Sequence, residues 1–221
     1  MVDVDVVPER TVLLNIDMQN LFVEGYQTSA PDGIATLDRI NRLAAVCREA
    51  GLLVIHASHV LRPDGSNMGI LGDLYPEVRA GLLSKDGTPT ALHPALVVDP
   101  RDLLLEKPRY GAFHGTDLEL ILRTRGIDKV IIAGIATNIC CDTTAREAMV
   151  RDFRVFFLSD GTATSGSAEI SPEAQQRATL ATINDAIGQV LSVDETIQQI
   201  ERSGGREPDL GSGNAQGFDS C

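Results

Sequence analysis

Two adjacent thiols, Cys140 and Cys141, follow an apolar run and a short polar turn in the stretch KVIIAGIATNICCDTTAREA, Lys129 to Ala148. A cysteine at the start of a helix meets unpaired N–H groups and the positive end of the helix dipole. On that reading its pKa is lowered and its thiolate content raised. A buried cysteine in a packed turn is the commoner fate of the residue, so a base and a cation within reach must decide the matter. Two candidates stand out. Asp17 follows the apolar run TVLLNI, and Lys107 follows Asp102 to Glu106 and precedes Pro108. A thiol supplies a nucleophile, and a carboxylate takes its proton and later returns it to a leaving amine. A lysine holds both anions and orients the substrate. Singly, Asp17 reads as a turn former and Lys107 as a solvated strand end. Together they compose a kit for thiol-based acyl transfer.

The elements that must bring these residues together alternate along the chain. Short β-branched runs predict buried parallel strands at Thr11 to Ile16, Leu52 to His56, Asp102 to Glu106, Val130 to Ala133, Arg154 to Leu158 and Gln189 to Val193. Helical spacing of apolar residues predicts a helix after Asp32, with Ile34, Leu37, Ile40, Leu43, Ala44 and Cys47 on one face and Gly51 at its end. Thr116, with Glu119 three residues on, predicts a capped helix to Arg125. Further helices are predicted after Cys141, after Ser171-Pro172-Glu173, and from Val193 to Arg202. This alternation implies an α/β fold with a parallel sheet covered on both faces, and ligands at the carboxyl ends of the strands. Asp17, Lys107 and Cys140 all fall at such ends. Ser58 to Pro100, with five glycines and five prolines, is the least regular part. It reads as a lid or interface segment, with a short helix over Tyr75 to Leu83. Residues 1–202 are expected to form one domain. Residues 203–221, rich in Gly, Ser, Asp and Asn, are expected to be a disordered tail.

Composition narrows the classes of function. The formal net charge of -12 argues against nucleic acid or an anionic membrane surface as partner. No apolar run approaches the roughly 20 residues of a membrane span, and no signal peptide is apparent. Four cysteines, two of them adjacent, do not make a disulfide framework. They suit a reducing cytoplasm.

Three blocks together carry a resemblance: LNIDMQN around Asp17, EKPRYGAF around Lys107, and GIATNICCDTTAREA from Gly134 to Ala148. In this order they resemble the isochorismatase-like cysteine hydrolases, from about Thr11 to Ala163. The resemblance implies a Rossmann-like three-layer α/β/α sandwich with a six-stranded, mainly parallel sheet. It implies an Asp17, Lys107 and Cys140 triad, with Cys141 as a packing residue. It also implies a cis peptide at Ile135-Ala136, which would set the Ala136 N–H beside that of Cys140 as an oxyanion hole. The blocks are most similar to the ureidoacrylate amidohydrolase branch, with N-carbamoylsarcosine and biuret hydrolases as close neighbours. The implied activity is cleavage of a small linear amide or ureido compound through a thioester, by a homo-oligomer, dimer or tetramer. Arg109 is then the candidate partner for a substrate carboxylate. Gln19, Asn20, Tyr110 and Phe113 are the candidate pocket walls, and Asn138 braces the turn.

Some relatives, the nicotinamidases, hold a metal with an Asp-x-His pair and a second His. The second strand here ends in His56-Ala57-Ser58-His59, without that motif. Both histidines read as structural, so no metal and no cofactor are expected. Isochorismatases proper cleave a vinyl ether and need an acid, whereas a cysteine at 140 favours the amidases. A reading from another class is a non-hydrolytic module whose paired cysteines sense oxidants or bind a partner.

Overall fold

The computed structural model describes residues 5–204. Six strands form one sheet: β1 (Thr11–Ile16), β2 (Leu53–His59), β3 (Leu103–Lys107), β4 (Lys129–Ile135), β5 (Arg154–Ala163) and β6 (Gln189–Leu191). Their order is β3-β2-β1-β4-β5-β6, and every neighbouring pair is parallel. The chain builds outwards from β1 in one direction, then restarts at β4 and builds in the other. The carboxyl ends of β1 and β4 therefore flank the point where the strand order reverses, the crevice in which such sheets place ligands.

The alternation of side chains along the central strands makes two cores. Leu13 of β1 and Ile131, Ala133 and Ile135 of β4 face one side. Val12, Leu14 and Ile16 of β1 and Val130 and Ile132 of β4 face the other. The first face is covered by α2 (Gly33–Glu49), whose Leu37, Ile40, Leu43, Ala44 and Cys47 form the expected stripe, and by Ile200 of α8 (Val193–Gly204). The second is covered by α5 (Leu118–Thr124), α6 (Asp142–Met149) and α7 (Pro172–Ala186), through Leu118, Leu122, Ala145, Ala148 and Ile183. Burial on both faces explains why these strands read as continuous apolar runs.

A third, smaller cluster of Leu21, Leu61, Leu71, Val78 and Leu83 lies under the segment between β2 and β3. Here three short helices occur: α1 (Asn20–Val23), just after β1, and α3 (Leu71–Leu74) and α4 (Pro76–Arg79). The single helix expected over Tyr75 to Leu83 is thus replaced by two turns that meet at Tyr75. Tyr75 is extended, φ -132 and ψ 101, because the ring of Pro76 disfavours helical geometry in the residue before it.

Other boundaries also differ from the sequence reading. β2 continues to His59 and β5 to Ala163, where polar residues end the apolar run before the strand ends. Thr116 does not cap α5 in the expected box. Its hydroxyl accepts from Leu118 N at 3.2 Å, while Glu119 accepts from Arg151 at 3.1 Å instead of reaching back. Ser171 does cap α7, accepting from Ala174 N. The last helix runs to Gly204, two residues beyond the expected boundary. The expected disordered tail otherwise lies outside the described residues. No described helix is long and apolar enough to cross a membrane.

Candidate active site

Asp17 leaves β1 with φ 54, a left-handed conformation that Asp tolerates better than most residues. Its N–H still donates to Ala57 O of β2 at 2.7 Å. The turn places its carboxylate, fully buried, above the ends of β1 and β2. Lys107 stands at the end of β3, paired in register with His59. Its fully buried side chain reaches back so that Nζ lies 2.8 Å from Asp17 Oδ2 and 3.2 Å from Arg109 O. Neither charge could be buried alone without a cost of several kcal/mol. The other carboxylate oxygen, Asp17 Oδ1, has no hydrogen-bond partner.

Cys140 is brought to this pair by β4 and its turn. Gly134 has φ 122, and a Cβ there would sit 2.0 Å from Ile16 O. Only glycine lets β4 pass β1 so closely. The Ile135-Ala136 bond is cis. The chain then makes one wide turn, Thr137–Cys141, before α6 begins. Ala136 O closes the turn by accepting from Ile139 N at 3.2 Å and Cys141 N at 3.1 Å. Thr137 donates to Gln176 Oε1 of α7 at 2.5 Å, and Asn138 accepts from Thr164 at 2.7 Å. One residue registers this turn with the Lys107 loop. The Thr144 hydroxyl donates to Cys140 O at 2.7 Å and accepts from Ala112 N at 3.1 Å. Glu147 adds a second tie, accepting from Phe113 N at 3.0 Å.

The thiol opens into a cavity of about 470 Å³ bounded by Cys140, Ala136, Ile139, His59 and Tyr110 and by side chains of α1, α3 and α4. Asp17, His59 and Cys140 present donor atoms within 4.8 Å of one another. His59 Nε2 is buried without a partner, and its ring stands edge-on to Tyr110 at 5.8 Å. Cys141 turns the other way, fully buried in the second core with Sγ 4.0 Å from Ala133 O.

Burial governs the protonation of the site. It pushes the Cys140 thiol up, aided by the Asp17 charge and opposed by Lys107 and by the Ala136 N–H. The lowered pKa expected for a cysteine at a helix start is therefore overturned, because desolvation outweighs the helix end. Burial also raises Asp17, against the pull of Lys107. It works to lower Lys107, but the charge and hydrogen bond of Asp17 hold the ammonium above its ordinary value. Burial, then the Lys107 charge, depress His59 to about 3. Burial thus favours a neutral thiol and a neutral imidazole beside the Asp17–Lys107 pair.

The remaining sequence candidates fall in different places. Tyr110 lines the cavity. Gln19 does not; its buried amide clamps the backbone of His59, at 2.9 and 3.2 Å, and Thr90 O at 2.6 Å. Asn20 is tied to Thr88 O at 2.9 Å. Arg109 points away, donating to Asn67 O at 2.9 Å and Pro108 O at 2.6 Å. Phe113 is buried against Phe153, 5.6 Å between ring centres. The histidines divide. A spacing of three along a strand sends them to opposite faces, so they cannot serve one metal. His56 is structural as expected, 3.0 Å from Asp102 and 3.3 Å from Asn15. His59 faces the site, a placement the sequence reading missed. Asp17, His59 and Cys140 are of types that bind divalent cations, but the Asp17 carboxylate is already matched by Lys107.

Comparison with known proteins agrees with this architecture. Residues 11–195 match the Isochorismatase domain family. The chain belongs to that family of hydrolases. It is 32% identical over 206 residues to ureidoacrylate amidohydrolase RutB of Methylorubrum extorquens, covering 84% of this chain and 80% of that protein. Among solved structures it is similar to a cysteine hydrolase from Pseudomonas syringae pv. phaseolicola, with TM-score 0.88 and 33% identity over 91% of this chain and 97% of the other. An isochorismatase family protein from Burkholderia thailandensis gives 0.76 and 31%, over 90% and 100%.

Proposed function

We propose that the protein is a cysteine amidohydrolase that cleaves the C–N bond of a small linear amide, ureido or carbamoyl compound through a thioester. The observation that carries this reading is the ion pair of Asp17 and Lys107 beside the Cys140 thiol at the floor of a cavity. Similarity to a ureidoacrylate amidohydrolase and to a cysteine hydrolase supports it.

With the thiol neutral at rest, proton removal is coupled to attack. Asp17 takes the Sγ proton as sulfur bonds to the carbonyl carbon, and the carbonyl electron pair moves onto oxygen. The N–H groups of Ala136 and Cys140 hold that oxyanion, a stabilisation worth several kcal/mol in comparable sites. Collapse breaks the C–N bond, and the nitrogen leaves as ammonia or amine with the proton from Asp17. Asp17 then deprotonates water, which attacks the thioester and releases acid and thiol. Lys107 keeps Asp17 anionic between proton transfers.

Incubation with a panel of primary amides and ureas, followed by mass spectrometry, should show an acyl or carbamoyl adduct on Cys140. Cys140→Ala should lose turnover by about 10³-fold or more, while Cys141→Ala keeps most of it. Normal activity in Cys140→Ala would sink the assignment. A thiol sensor, the competing reading, needs an accessible thiolate of low pKa, whereas burial raises both thiols here.

A further inference from the structure

The cavity over Cys140 has a mainly apolar wall. Leu21, Phe22, Leu71, Val78, Leu83 and Ile139 are among its lining residues. Its polar lining is His59, Gln27, Thr28 and the tyrosine hydroxyls, and its one charged side chain is the acidic Glu77. No Lys or Arg is among the lining residues. Three cations on neighbouring segments are committed elsewhere. Lys107 is paired with Asp17, and Arg109 serves the carbonyls of Asn67 and Pro108. Arg79 donates to Gly72 O and pairs with Asp73. His59 is neutral, since its pKa is about 3.

A carboxylate entering this space would lose its hydration and meet no cation, with Glu77 repelling it. An alkyl or aryl group would meet matching surface. We propose that the substrate is an uncharged amide or urea carrying an apolar aliphatic or aryl group, and that amides of dicarboxylic acids and ureido acids are poor substrates. This rests on the amidohydrolase reading, and it separates this chain from the ureidoacrylate specificity named for its relatives. The scissile carbonyl sits on Cys140, and the apolar group extends towards Leu71 and Leu83.

The test uses matched pairs of equal chain length: hexanamide against adipamate, and butylurea against 4-ureidobutyrate. The neutral member should be favoured by about tenfold or more in kcat/KM, the cost of leaving one charge unmatched. Glu77→Arg, at an exposed position, should narrow that ratio by admitting the anion. Calorimetry on Cys140→Ala reads the same preference without chemistry. If that variant binds hexanamide more tightly than adipamate but wild type forms no adduct, the amidohydrolase reading fails and the pocket assignment stands. If adipamate acylates Cys140 as fast as hexanamide does, the pocket assignment is overturned and the amidohydrolase reading stands. Equal binding of the two by Cys140→Ala overturns it as well.

Discussion

The crevice beside the end of β5 and the cavity over Cys140 are similar in volume, about 420 and 470 Å³, and both open near carboxyl ends of the sheet. The first is the more polar, lined by Ser159, Asp160, Thr162, Thr164, Gln176 and Arg39. None of its lining residues carries a buried side-chain polar atom without a partner. Gln176 donates to Ser159 O at 3.0 Å and to Thr162 at 3.1 Å while accepting from Thr137. Asp160 accepts from Val193 N at 2.7 Å, and its carbonyl accepts from Arg39. The cavity over Cys140 has fewer polar groups, yet Asp17 Oδ1 and His59 Nε2 are left without partners. Buried polar groups are normally satisfied, and this unmatched pair lies beside the thiol of the proposed site. Polarity alone would favour the other crevice.

The largest test of that contrast is Lys107→Met. It leaves the Asp17 carboxylate buried without a counter-charge, and stability should fall by about 3–5 kcal/mol in urea denaturation. Adding Asp17→Asn should restore most of the stability, since no charge then remains buried, but none of the turnover. A single Lys107→Met protein as stable as wild type would mean that Asp17 takes up a proton at little cost. The ion pair would then not organise the site.

The polar crevice gives the intermediate effect. Gln176→Ala removes four hydrogen bonds and leaves the buried Thr137 hydroxyl unmatched. We expect a loss of about 1–3 kcal/mol. Turnover should fall by less than the effect of losing Lys107, because the crevice reaches the thiol only through the Thr137–Cys141 turn. A Gln176→Ala enzyme of normal stability but no activity would instead place chemistry in the crevice.

Much of this was legible in the sequence for one physical reason. Strands buried on both faces are mostly apolar, so Thr11 to Ile16 and Val130 to Ala133 announce a parallel sheet. The polar residues at their ends then stand out. The meeting of Asp17, Lys107 and Cys140 follows from that and from the three motif blocks. What did not follow was side-chain direction. Arg109, Gln19 and Phe113 lie within a few residues of the site in sequence, yet each turns to a backbone carbonyl or a neighbouring ring. His59 was hidden because the apolar run stops at His56 while the strand continues. Counting in twos from a longer β2 would have separated the histidines. The thiol's protonation was misread because a helix end is visible in sequence and a desolvated pocket floor is not.

The smallest expected effect probes the unmatched imidazole itself. His59 has a folded pKa of about 3 against an ordinary 6.5. Between those values the unfolded chain takes up a proton that the folded chain refuses. Stability from this residue is therefore complete above about pH 6.5 and is lost as pH falls towards 3. His59→Leu removes both the titration and a buried atom without a partner. Its stability at pH 7 should be equal to or slightly above that of wild type, within about 1 kcal/mol, and its stability should fall less steeply between pH 6.5 and 3. Activity should nevertheless drop, with the change in KM or kcat telling whether the ring contacts bound substrate or the transition state. A stable His59→Leu protein with unchanged kcat and KM would show that the ring is only packing, as His56 is. The contrast between matched and unmatched polar groups would then rest on Asp17 alone.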